Sequence, residues 1–173
     1  MRIEMNKTRK ISIMAIFVAV GLVLQYIESR FTPVNVPGGK LGLANIVSII
    51  NIFMFGGANA TVIAVLRATL GCLMFGGVSA IPYSVLGALF SVLSMWGAKK
   101  WLYPKISMIG LSIIGAAVHN VSQIFVAVWM FSSWYVFSYL PGLLVIAVVS
   151  GAVTGYATEV FARRAFKPWE VVK

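Results

Sequence analysis

Apolar residues run along this chain in blocks, and polar, glycine and proline positions mark where each block ends. Reading between those breaks predicts six helices, over residues 11–27, 41–55, 58–74, 81–98, 107–131 and 141–162. Pro82 and Pro141 fall in first turns, where a missing N–H costs little. Five of the blocks reach the roughly 17 to 25 residues that cross a bilayer core about 30 Å thick. The second is short for a straight span, and Asn45, Ser48 and Asn51 interrupt it.

The clearest punctuation is a repeat. "FMFGGANA" at 53–60 returns as "LMFGGVSA" at 73–80, twenty residues on. A helix of that length rises about 30 Å, so the two Gly-Gly pairs mark the two membrane faces. Arg67 then falls near the midplane, where a guanidinium costs at least about 2.5 kcal/mol.

Small and polar residues recur at helical spacing in the later spans. The fourth carries Ser84, Gly87, Ser91, Ser94 and Ala98 on one face, and the fifth carries Ser112, Ala116, His119, Gln123 and Ala127. The sixth has Ala147, Gly151, Thr154, Gly155 and Thr158, including a GxxxG pair. Such faces close helix–helix seams, because lipid would leave their polar groups unpaired.

Composition agrees with the pattern. The chain is 60% hydrophobic and 10% charged, against about 25% charged for soluble domains, and its mean hydropathy is +0.95. It is expected to form one six-helix domain over residues 1–173, with no soluble module. The basic start and apolar first block resemble a signal peptide. However, the block leads directly into further spans with no clear A-x-A site, so a retained first helix is expected. Cys72 lies in an apolar run and is expected to be a buried, inert thiol.

The net charge of +10 would suit a nucleic-acid binder, but its distribution points to membrane orientation instead. Arg2, Lys7, Arg9, Lys10, Lys99, Lys100, Lys105, Arg163, Arg164, Lys167 and Lys173 all share one side if there are six spans. Only Arg30 and Lys40 fall on the other. By the positive-inside rule both termini are cytoplasmic, and an odd number of spans would split the clusters. The expected fold is therefore all-α, a polytopic membrane protein of six transmembrane helices.

The two longer outer loops differ in character. "SRFTPVNVPGGK" at 29–40 contains Pro33, Pro37, Gly38 and Gly39 and is a candidate lid. "SSWYVFSY" at 132–139 is rich in aromatic rings, read either as an interfacial belt or as a second gate. Between them, Asn45, Arg67, His119, Asn120 and Gln123 suggest a polar interior reaching from the midplane outward. Two roles compete for it. The residues either tie helices together or bind a solute. The second gains from an apparent lack of partners, since the chain has no Asp and Glu28 and Glu159 lie near helix ends. A guanidinium without a carboxylate suits an anionic or carbonyl-rich ligand.

The residues argue against several chemistries. There is no GxxxxGK[ST] loop for ATP hydrolysis. One His and one Cys cannot supply a Cys/His zinc site or a bis-His haem site, so no cofactor is expected. Without Asp there is neither an Asp-rich diphosphate–magnesium motif nor a Ser–His–Asp triad, and enzyme activity is not expected.

Three stretches, "KLGLANIVSIINIFMFGG" at 40–57, "LRATLGCLMFGG" at 66–77 and "IIGAAVHNVSQ" at 113–123, resemble the Gx transporter family of bacterial membrane proteins. That family is often labelled heptaprenyl diphosphate synthase component I. The resemblance covers nearly the whole chain in order, and the absence of Asp favours the transporter label over the synthase one. The family is similar in turn to the substrate-binding, or S, components of energy-coupling factor (ECF) transporters. This resemblance implies a six-helix S-component-like fold in the bacterial cell membrane. It also implies partners, a transmembrane coupling subunit and ATPase subunits, docked on a small-xxx-small motif of the first helix, here Ala15 and Ala19. The solute would bind near the outer face, under the 29–40 loop.

The leading expectation is thus a solute-capture subunit for a small, anionic vitamin-like or precursor-like molecule, with Arg67 neutralising its charge. The alternatives are a non-transporting scaffold in quinone, isoprenoid or flavin-linked metabolism, and a standalone secondary carrier.

Overall fold

The structure, a computed structural model, describes residues 6–31 and 42–165, and these are all-helical in their regular elements. Six helices follow one another: α1 (Lys7–Phe31), α2 (Ala44–Phe55), α3 (Gly57–Gly71), α4 (Ile81–Leu102), α5 (Met108–Phe131) and α6 (Leu140–Ala165). A π-helical turn, Cys72–Gly76, prolongs α3, and a 3-10 turn, Trp134–Tyr139, leads into α6. Five spans are long and apolar enough to cross a membrane, and α2 is not. The chain is a multi-pass membrane protein.

Contacts between helices fix their directions. Phe17 meets Phe55 edge-on, and Glu28 near the end of α1 accepts from Gly42 just before α2, so α1 and α2 run antiparallel. Arg67 lies against Gly21, Gly71 against Gln25 and Phe75 beside Tyr26, so α3 runs parallel to α1. Trp96 covers Gly57, which turns α4 back again. Met95 packs on Gly115, and Ile109 packs on Gly155, so α5 and α6 continue the alternation. Both described ends of the chain therefore share one side with Lys99, Lys100 and Lys105. That is the cytoplasmic side by the positive-inside rule.

The second predicted helix needs correction. Residues 41–55 are not a full span: α2 has 12 residues, about 18 Å of rise against a core of about 30 Å. It is a buried plug surrounded by its neighbours. Asn51 is fully buried and spends its amide on the Val47 carbonyl of its own helix. The last carbonyls of a helix have no partner within it and must find donors elsewhere. Lys99 donates from Nζ to the Ile52 carbonyl at 3.2 Å, with its ammonium 3.7 Å from the centre of the Phe53 ring. Asn59 donates to the Phe55 carbonyl at 2.8 Å. Lys99 was expected as a loop cation beyond residue 98. Instead α4 runs on to Leu102, and the lysine closes the end of α2.

The Gly-Gly repeat also resolves into geometry. Gly56 and Gly77, one at each end of α3 and its π turn, have φ of 79° and 82°. Such angles suit glycine and strain other residues, so each pair contributes one obligatory corner.

The predicted seams form. Ala60, Ala64 and Ala68 of α3 pack with Ile49, Ile52, Ala88, Val92 and Met95 in the core, while Val62, Leu66 and Leu70 face outward as lipid requires. At the GxxxG pair, a Cβ built on Gly151 would lie 2.7 Å from Ile113 Cα, and one on Gly155 2.5 Å from Ile109 Cα. The backbones of α5 and α6 are in direct contact there. Ser112 and Thr154 share a 2.9 Å hydrogen bond across the same seam.

Candidate functional site

The polar residues of the interior converge on a small cavity at the end of the bundle where α1 finishes and α2 begins. All six helices line it: Gln25 and Glu28 from α1, Asn45 from α2, Arg67 from α3, Ser84 from α4, His119 and Asn120 from α5, and Ser150 from α6. Its volume is about 30 Å³. A space of this kind holds a water for about every 10 to 15 Å³, so there is room for a few ordered waters and not for a larger solute without movement.

Arg67 dominates the cavity and is 7% exposed. Its position is made by glycine. A Cβ at Gly21 would collide with Arg67 Cδ, so the arginine stem crosses α1 where that helix has no side chain. One turn along, Gly71 of α3 leaves the matching space for the Gln25 amide. Large and small residues thus interlock reciprocally, and Arg67 Nη1 donates to Gln25 Oε1 at 3.1 Å. Arg67 Nε is buried and has no partner among the described residues.

Glu28 changes the electrostatic account. The expectation that Arg67 lacks an available carboxylate is wrong. Glu28 is 3% exposed, lines the same cavity, and its charge acts on the guanidinium. Its Oε1 also accepts from Gly42 N at 2.6 Å, tying the entry of α2 to the end of α1. Proximity to a helix end in sequence did not mean exposure, because α1 runs past the short α2. The site therefore gathers a buried guanidinium and a buried carboxyl group among neutral polar side chains.

Of the predicted residues, Asn45, Arg67, His119 and Asn120 meet at this cavity. Gln123 does not. One turn further along α5, it lines a separate chamber. Asn120 also has a structural bond, donating from Nδ2 to the Leu143 carbonyl of α6 at 2.9 Å. His119 packs against Gly87 of α4 and lines the cavity wall. The lid positions Pro33, Pro37, Gly38 and Gly39 lie outside the described residues. Ala15 and Ala19 are exposed on α1, beside Ile16 and Val20.

Gln25 and Glu28 went unrecognised in the sequence. A signal was present: Gly21, Gln25 and Glu28 are spaced four and three apart, which places them on one face of an otherwise apolar helix.

No curated protein and no solved structure matches the chain. A profile of the family described as heptaprenyl diphosphate synthase component I matches residues 17–161, from the middle of α1 to the last turns of α6, and so takes in every residue of the cavity. With that match covering most of its 173 residues, the chain belongs to the heptaprenyl diphosphate synthase component I family.

Proposed function

We propose that this protein is a solute-capture subunit, S-component-like, of an ECF-type transporter in a bacterial plasma membrane, and not an enzyme. The observation that carries the reading is the buried Arg67–Glu28 cavity, assembled from all six helices and located where the 29–40 loop leaves α1. A purely structural arginine would gain most from a complete set of hydrogen bonds, yet Arg67 Nε has none among the described residues. At this size the cavity takes water alone, and binding requires α1 to give way. Glu28 shifts the expected solute from a simple anion toward a molecule bearing both a donor and an acceptor group.

Energy would come from partners. The exposed Ala15 and Ala19 face leaves α1 open to a coupling subunit, with ATPase subunits beyond it. The family description supports a second reading, a membrane component of a prenyl diphosphate synthase in isoprenoid or quinone metabolism. Affinity isolation of the intact protein from native membranes separates the two. Recovery of a multi-span coupling protein with ATPases, lost in Ala15→Leu/Ala19→Leu, supports capture. Recovery of a soluble prenyl diphosphate synthase subunit instead supports the second reading.

A further inference from the structure

Gln123, absent from the Arg67 cavity, lines a chamber of about 570 Å³. This lies between the first turns of α4, the C-terminal part of α5 and the 3-10 turn before α6. Its wall includes Tyr83, Ile124, Met130, Phe131, Val136 and Tyr139, and none of its lining residues is charged. Ser84 lines both spaces, so the chamber adjoins the polar cavity at that residue. Its volume lies within the roughly 300 to 1,000 Å³ of ligand pockets, and it is open on one side, where Met130, Phe131 and Tyr139 are exposed.

One polar group of the wall is unanswered. Gln123 is 4% exposed, and its Oε1 has no hydrogen-bond partner among the described residues. A buried amide oxygen beside an apolar, partly aromatic wall is the usual make-up of a small-molecule pocket, a greasy body with one group to fix orientation. The wall offers no compensation for a charge, whose burial is costly.

We propose that this chamber seats the body of the captured solute: an uncharged aromatic or alicyclic ring system with a hydroxyl or N–H that donates to Gln123 Oε1 once the amide turns toward the chamber. The polar end of the same molecule points past Ser84 toward Arg67 and Glu28. This rests on the capture reading above and narrows its solute to an amphipathic, ring-bearing compound.

The test uses the full chain in nanodiscs, with Cys72→Ala and a single new thiol from Ala80→Cys, at a half-buried position on the chamber wall. The rate of N-ethylmaleimide labelling is measured with naphthol, naphthalene or naphthoate as probe. A matching Ser138→Cys variant, exposed and outside the lining, controls for partition into lipid. Naphthol is expected to slow labelling at the chamber by about fivefold when present at about four times its Kd. Naphthalene and naphthoate should protect less, and Ser138→Cys should be unaffected. Gln123→Leu, or Gln123→Met should the first fold poorly, should remove the advantage of naphthol over naphthalene. Equal protection by naphthoate, or no protection at all, overturns the proposal. So does labelling that is blocked in nanodiscs and freed in detergent, which would mark a seat for a lipid chain. A failure here while a solute still depends on Arg67 removes the chamber alone. Loss of every Arg67-dependent solute removes the capture reading and this inference with it.

Discussion

Arg67 and Gln25 are joined twice. The guanidinium donates to the Gln25 amide at 3.1 Å, and each side chain fills the space above a glycine of the other's helix, Gly21 for Arg67 and Gly71 for Gln25. The α1–α3 contact is thereby built to hold a cation in place rather than to exclude it. Since α1 is also the least buried helix, the cation is held by the element most able to move.

Gly21→Val therefore tests positioning. The new side chain would take the space of the Arg67 stem and swing the guanidinium away from Gln25. Overpacking of this kind costs about 1 to 3 kcal/mol. The melting temperature in detergent should fall modestly, while any solute that depends on Arg67 should be lost as fully as in Arg67→Ala.

Glu28 separates charge from hydrogen bonding. Glu28→Gln keeps an acceptor for Gly42 N but removes the anion from the cavity. Glu28→Ala removes both and leaves a donor short of its partner, a loss of about 1 to 3 kcal/mol. Thermal unfolding should rank wild type and Glu28→Gln close together and Glu28→Ala clearly below. Equal destabilisation by both would show that the charge, and not the Gly42 bond, holds α2.

Much of this fold was legible in the sequence, and for a definite reason. Period and small-residue spacing report one-dimensional facts, so the faces through Ser84, Ser112 and Gly151 emerged as the buried seams they are. What was not legible depends on where helices lie relative to one another. Glu28 lies in the interior and Lys99 reaches the Ile52 carbonyl, and neither follows from local sequence. Gln123 and His119 share a helix face and both lie against Gly87 of α4, yet they line different spaces.

The α5–α6 seam should tolerate no added bulk. Gly155→Leu forces a side chain into the Ile109 backbone and should lower the melting temperature sharply, by more than the roughly 1 to 3 kcal/mol of ordinary overpacking, because backbone must move. Gly142→Leu, on the same helix with nothing within 4 Å, should be silent.

Lys99→Met keeps a long stem but removes the donor at the end of α2. A hydrogen bond from a charged group contributes about 1.5 to 3 kcal/mol, and the cation–ring contact with Phe53 is lost as well. Stability should fall by about that amount. Hydrogen exchange should rise in the last turn of α2 before it rises elsewhere.

The central claim is that Arg67 is buried to meet a solute. Mass spectrometry of small molecules that co-purify with the solubilised wild type and with Arg67→Ala tests it most directly. The account predicts a stoichiometric compound in the wild type that is absent from the variant, with both proteins monodisperse. The same small-molecule profile from both proteins, beside a collapse in stability of Arg67→Ala, would make the arginine a structural tie between α1 and α3 and contradict the account.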